Sequence, residues 1–274
     1  MTPERVAKLK LEYPDITIWN REMEIDPNSR GGQKVFPEYS DEIHLIEPVL
    51  PLRPEEWTVY LACDPHPRRA HAFVWLAVNR FGEMVVVYSW WPEEENQERE
   101  ANNEHRLFIS EYVEEVNRIE AVGAFPPSYR QVMDSAGQNF DQDEEHNYFD
   151  AYETDGFPFQ PAKKNRKYSG YDLIHEALSP QKYTMGNEEI VRPKLRIMRG
   201  LGDNHKVSQQ FRDLRFKKLK GDPSEKDAPP DPMNKDRHLI DCVSYNLLAE
   251  PEFIPKGPVR GSWKPNPNTS SLGY

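Results

Sequence analysis

Three aspartates stand where a carboxylate can do chemistry. Asp64 follows the β-branched and aromatic run 57–63 (WTVYLAC), and Asp134 follows the short run 129–133. Asp241 interrupts the apolar face of the last amphipathic segment, made by Leu239, Ile240, Val243, Leu247 and Leu248. In an open α/β sheet ligands gather at the carboxyl ends of strands, so acids closing two neighbouring strands lie close together, and a helix packed on that edge can bring a third. Three ionised carboxylates at about 4 Å repel by several kcal/mol at intermediate dielectric unless a cation neutralises them. All-oxygen donors point to Mg²⁺ or Mn²⁺ rather than zinc, and two such ions side by side are the usual device for in-line attack at phosphorus. The chemistry implied is hydrolysis of a phosphodiester. His238 precedes Asp241 by three residues and shares its helix face. It is either a ligand, if Mn²⁺ is favoured, or the group that orients or deprotonates the attacking water. Asp236 is either a further ligand or the N-terminal cap of the last helix.

The elements that must carry these residues show in the periodicity. Runs 57–63, 73–78 and 84–91 predict three strands in an antiparallel meander. Leu107, Phe108, Tyr112, Val113, Val116 and Ile119 recur at three- and four-residue steps, which predicts one amphipathic helix over 97–121, ended by Gly123 and Pro126. A fourth strand over 129–133 leads to Asp134. Beyond it, helices near 144–152, 171–178 and 205–219 alternate with short strands near 157–160 and 195–198. A Pro- and Asp-rich loop over 221–234 precedes the last helix, 235–249. The expected organisation is an extended, Pro-punctuated arm over 1–56, an α/β domain over 57–250 and a flexible tail over 251–274.

Composition sets the outer bounds. The 274 residues carry 35 Lys and Arg against 46 Asp and Glu, a net charge of −11 that excludes a histone-like polycation. Six Trp, 13 Tyr and 12 Phe are enough aromatic bulk for a core. Two cysteines, Cys63 and Cys242, are too few for a disulfide scaffold or a four-cysteine zinc site. No run of about 18 apolar residues is present and the first residues lack the apolar stretch of a signal peptide, so the expectation is a soluble, intracellular protein with no membrane partner. Against this acidic background Lys163, Lys164, Arg166 and Lys167 form a dense basic cluster, which is either a solvated loop or a phosphate contact, since duplex binding needs local cations. The acidic run 141–145 does not make a calcium loop, because its sixth position is His146 and its twelfth Tyr152.

Taken together, Cys63-Asp64 after a strand, Val132-Met133-Asp134-Ser135-Ala136-Gly137, and Asp236-Arg237-His238-Leu239-Ile240-Asp241-Cys242-Val243-Ser244-Tyr245 resemble the three acidic motifs of the nuclease domain of large terminase subunits from tailed bacteriophages. Cys242 stands where that family more commonly has Ala. Val35-Phe36-Pro37-Glu38-Tyr39, Ile43-His44-Leu45-Ile46 and Trp57 also resemble the stretch by which the family's ATPase part runs into its nuclease part, so the likeness extends from about residue 33 to residue 250. The resemblance implies an RNase H-like fold, a central mixed sheet flanked by helices. It further implies an endonuclease that cuts concatemeric double-stranded DNA during viral genome packaging in the host cell cytoplasm. Two Mg²⁺ or Mn²⁺ ions would be held by Asp64, Asp134 and Asp241, with a packaging ATPase and a portal as partners. The family also tends to have a basic residue after its second motif, where Lys163 and Lys164 stand. No G-x-x-x-x-G-K-[ST] loop occurs, so the packaging ATPase is expected elsewhere: this is an excised nuclease part, or the motor is a separate polypeptide. Two other readings are open: another RNase H-like nuclease of junction-resolvase or transposase type, and a non-catalytic assembly module of the packaging machine.

Overall fold

The computed structural model describes residues 34–135, 147–163, 169–185, 188–216 and 237–255. The chain divides into two compact units, one of Glu38–Gln210 and Arg237–Tyr274, the other of Met1–Pro37 and Phe211–Asp236. The larger unit holds the seven-stranded sheet together with Asp64, Asp134, His238 and Asp241.

Among the described residues the order of elements is α1 (Asp41–His44), β1 (Leu45–Ile46), β2 (Trp57–Asp64), β3 (Ala72–Asn79), β4 (Met84–Trp90), α2 (Glu93–Ala101), α3 (Ile109–Val122), β5 (Arg130–Met133), α4 (Tyr148–Thr154), β6 (Gln160–Pro161), α5 (Ser169–Leu178), β7 (Pro180–Met185), β8 (Glu188–Pro193), β9 (Leu195–Met198), α6 (Asn204–Asp213) and α7 (His238–Leu248). Seven strands form one sheet in the order β1-β9-β4-β3-β2-β5-β6, and β7 and β8 form a separate hairpin. The expected meander β2-β3-β4 is antiparallel. The pairs β2-β5, β5-β6, β4-β9 and β1-β9 are parallel, so the sheet is mixed, as expected.

The central strands are apolar almost throughout because both faces are covered. Val59, Leu61 and Cys63 of β2 and Phe73, Trp75 and Ala77 of β3 point to one side. There they pack with Tyr112, Val113, Val116 and Ile119 of α3 and Tyr152 of α4. The alternate residues point to the other side, where α7 lies on β2 and β3. Cys242 of α7 donates its Sγ hydrogen to the Ala72 carbonyl at 3.2 Å, and Asn246 donates to the Val74 carbonyl at 3.0 Å. Because side chains alternate along a strand, this parity turns Asp64 and Asp134 towards α7.

Several elements differ from the sequence reading. The single helix over 97–121 is two helices, since Asn103 takes the left-handed conformation at φ 59° beyond α2 and the chain restarts at α3. The stretch read as an extended arm contributes α1 and the edge strand β1, which pairs with β9 through Leu45 and Ile46. The strand over 157–160 shrinks to β6, and the helix over 205–219 stops at Asp213. The β7–β8 hairpin was not anticipated, although the Gly186-Asn187 pair between its strands is a turn signal. Of the segments expected to be a loop over 221–234 and a tail over 251–274, only 251–255 lie within the described residues. No helix among the described residues is long and apolar enough to cross a membrane.

Candidate active site

Asp64 ends β2 and Asp134 stands one residue past β5, its parallel neighbour. The ladder pairs Ala62 with Val132 and Cys63 with Met133, and the Asp134 amide extends it by donating to the Cys63 carbonyl at 3.2 Å. Two carboxylates on adjacent strand ends therefore face the same side of the sheet. That side is closed by α7, which carries the third acid.

The position of α7 is fixed from three directions. Cys242 and Asn246 tie it to the β3 backbone, as above. Its N-cap position is Arg237, without a side-chain cap, and the Leu239 and Ile240 amides donate instead to Gln210 Oε1 of α6 at 3.1 and 3.3 Å. A buried side chain from another helix thus satisfies orphan N–H groups that a local cap normally takes. On its outer flank α7 meets α5 closely: a Cβ added to Gly170 would lie 2.7 Å from Ser244 Cβ, so only glycine permits this crossing. In consequence His238, Asp241 and Tyr245, spaced by three and four residues, form a stripe facing the strand ends.

The hydrogen bonds of the site join these groups. His238 Nδ1 donates to Asp64 Oδ2 at 2.7 Å. The Tyr245 hydroxyl donates to Asp134 Oδ2 at 2.8 Å and lies 3.4 Å from Asp64 Oδ1, so it spans the two strand ends. Asp241 Oδ1 accepts from the Tyr171 hydroxyl of α5 at 2.8 Å, and its Oδ2 sits 3.1 Å from Arg237 Nε. The His66 and Trp91 rings pack on His238, with centroids 5.3 and 5.5 Å away.

The electrostatics follow from burial and from the crowding of acids. Burial, then the Asp64 carboxylate, push Asp241 up to about 7, against the opposing pull of Arg237, Tyr171 and His238. Burial lowers the His238 imidazole, but its hydrogen bond to Asp64 and the charges of Asp64 and Asp241 outweigh this and hold its pKa above the ordinary value. Burial, followed by the surrounding carboxylates, drives the Tyr245 and Tyr171 phenols far above the tyrosine range, so both stay neutral donors.

The residues chosen from sequence are placed as follows. Asp64, Asp134, Asp241 and His238 are brought together at the carboxyl ends of β2 and β5. Asp236 lies outside the described residues, and the cap position considered for it belongs to Arg237. Lys164, Arg166 and Lys167 also lie outside them. Lys163 is exposed and lines a groove of about 580 Å³ whose other charged walls are Asp172, Glu176, Lys194, Glu250 and Glu252; none of the three acids borders it. Tyr245, Tyr171 and Arg237 were given no role by sequence reasoning. Tyr245 was findable, four residues after Asp241 on the same face, whereas Tyr171 had no local signal.

An all-carboxylate set with one imidazole suits a hard dication in kind. As they stand, however, no group of three or more His, Cys, Asp or Glu side chains among the described residues is gathered closely enough to hold one. The acids are satisfied instead by tyrosine, histidine and arginine donors.

The sequence matches no protein-family model and no curated protein. Its structure is similar to that of the large terminase from a thermophilic bacteriophage, with a TM-score of 0.55 at 13% identity over 91% of this chain and 53% of that one. The same bacteriophage protein in complex with ADP gives 0.54 at 14% identity, over 90% and 51%. The nuclease domain of the P22 large terminase gives 0.53 at 11% identity, over 81% of this chain and 94% of that domain. The chain spans about half the length of the thermophilic phage protein and has the RNase H-like fold of a large-terminase nuclease domain.

Proposed function

We propose that the chain is a metal-dependent endonuclease that cuts double-stranded DNA during viral genome packaging. The observation that carries this reading is the meeting of Asp64 and Asp134, on neighbouring parallel strand ends, with Asp241 and His238 on one helix stripe. The terminase-like fold agrees with it. Asp64, Asp134 and Asp241 would hold two Mg²⁺ or Mn²⁺ ions, with His238 as a further ligand or as a proton carrier beside the attacking water. When bound, such ions lower the pKa of water and stabilise charge on the leaving 3′ oxygen. The residues themselves have distinct tasks. The strand ends give Asp64 and Asp134 a rigid base, and α7 holds Asp241 against them. With its Nδ1 engaged by Asp64, His238 keeps Nε2 to hold or pass a proton.

Partners follow from charge. A chain of net −11 has little general attraction for DNA, so a packaging ATPase or portal would hold the duplex against it, in the host cytoplasm. One observation favours a second reading, a non-catalytic packaging module: the acids are already satisfied by protein donors. Incubation with linear duplex and Mn²⁺ separates the two. Cleavage that disappears in Asp241→Asn supports the nuclease, whereas a folded wild-type chain with neither cleavage nor saturable Mn²⁺ binding supports the module.

A further inference from the structure

We propose that Tyr245 and Tyr171 are positioning residues that hold the three carboxylates in the cation-free protein, so that a divalent ion enters by displacing their hydroxyls. This role rests on the reading of the three acids as an ion site, and it says how that site is held together before an ion arrives.

The geometry is a linked set of donors. Asp64 presents Oδ2 to His238 and Oδ1 to Tyr245, while Asp241 presents Oδ1 to Tyr171 and Oδ2 to Arg237. Asp134 takes the shorter of the two Tyr245 contacts, 2.8 Å against 3.4 Å. Both oxygens of Asp241, Oδ2 of Asp64 and Oδ2 of Asp134 therefore each hold a donor, so an ion seeking them meets an O–H or N–H already in place, while Asp64 Oδ1 has only the long contact to the Tyr245 hydroxyl, whose hydrogen goes to Asp134. The two phenols come from different helices whose separation is set by Gly170 against Ser244, so the backbones that carry them are held at a fixed spacing, and a hydroxyl leaves its carboxylate by a side-chain rotation alone.

A phenol is suited to this task where a lysine is not. It satisfies a buried carboxylate with one strong donor but adds no positive charge, so the negative potential that attracts a dication survives. That potential draws the ion in, while the O–H bonds resist it. The resting site is thus ordered, and its affinity is lower than that of the bare acids.

Replacing either tyrosine by phenylalanine keeps the ring and removes only the competing hydroxyl. A hydrogen bond to a charged acceptor has a net strength that corresponds to about a tenfold change in an equilibrium constant. Calorimetric titration of the whole chain with Mn²⁺ should therefore show Tyr245→Phe and Tyr171→Phe binding about tenfold tighter than wild type. The cation-free Tm should be lower in each variant, and the rise in Tm on adding Mn²⁺ larger. General structural damage would move affinity the other way, and because the two variants act on different acids from different helices, each checks the other. Saturable wild-type binding, lost in Asp241→Asn but unchanged or weakened in both phenylalanine variants, would overturn the tyrosine role and leave the ion site standing. No saturable binding by wild type would overturn the ion site and the tyrosine role with it.

Discussion

Replacing Asp241 by Asn should flatten the pH dependence of stability of the cation-free chain. Asp241 is largely buried beside Asp64, and the two effects together carry its pKa from 3.8 to about 7. A carboxyl whose folded pKa is raised stabilises the fold fully below its unfolded pKa, and that contribution is lost as pH rises through the folded value. The window is therefore about pH 4 to pH 7. The difference, 7 − 3.8, is close to three units, and at 1.36 kcal/mol per unit it corresponds to roughly 4 kcal/mol across the window. His238 runs in the same direction, because its pKa is also held above the ordinary 6.5 and its contribution is lost above the folded value. Asn keeps the shape of Asp and an oxygen for Tyr171, but it does not titrate. Urea unfolding followed by tryptophan fluorescence, in the presence of a chelator, should show wild type losing several kcal/mol between about pH 4 and pH 7.5 and Asp241→Asn losing much less. Because His238 is present in both, the gap between the two curves reports Asp241 and its attraction to His238. Parallel curves would refute the claim that the Asp241 carboxyl is crowded by Asp64 in a buried setting.

Three further outcomes follow from the same geometry. Mn²⁺ at a hundred times its Kd should raise the unfolding free energy of wild type by about 2.7 kcal/mol and that of Asp241→Asn by far less, read as the shift of a urea midpoint. Gly170→Ala places a methyl 2.7 Å from Ser244 Cβ and 3.0 Å from its Oγ, so it should cost about 1–3 kcal/mol by forcing α5 from α7, and urea unfolding will measure it. An equal or greater stability would mean that the helices do not cross there. Gln210→Ala leaves the Leu239 and Ile240 amides without their acceptor and should cost about 1–2 kcal/mol, with faster hydrogen exchange confined to the first turn of α7.

What could be read from the sequence was whatever one strand or one helix turn settles by itself. Runs 57–63, 73–78 and 84–91 are β-branched and aromatic because both their faces are covered, and that continuity is visible without any partner. The acids could be placed as well, since Asp64 and Asp134 close such runs and Asp241 breaks an apolar helix face. Features set by distant contacts were not legible. Tyr171 reaches Asp241 across 70 residues, through a helix crossing whose only trace is a glycine. Gln210 caps α7 from a different helix, a partner that no local pattern around Asp236 and Arg237 could reveal. The break between α2 and α3 was present as Asn102-Asn103, but every apolar residue of the pattern, Leu107 to Ile119, lies after it, so the polar stretch from residue 97 carried no period of its own to show where one helix ends and the next begins. β1 is two residues long and acquires meaning only from β9 beside it.

The arrangement also explains why one helix carries so much of the site. His238, Asp241 and Tyr245 occupy one stripe, and the buried stripe beside it holds Cys242 and Asn246, which bond to the backbone of β3 at Ala72 and Val74. These bonds match the four-residue step of the helix to the two-residue step of β3 on the face it covers, so they fix both the rotation of α7 and its position along β3. A slip of one residue turns a helix by about 100° and would carry all three site groups away from the strand ends at once. The acids of β2 and β5 are set by the sheet ladder, and the residues of α7 by two side-chain bonds to that same sheet. Asp64 and Asp241 are therefore positioned against one common frame, which is what allows like charges 177 residues apart in the chain to be held side by side in a buried setting.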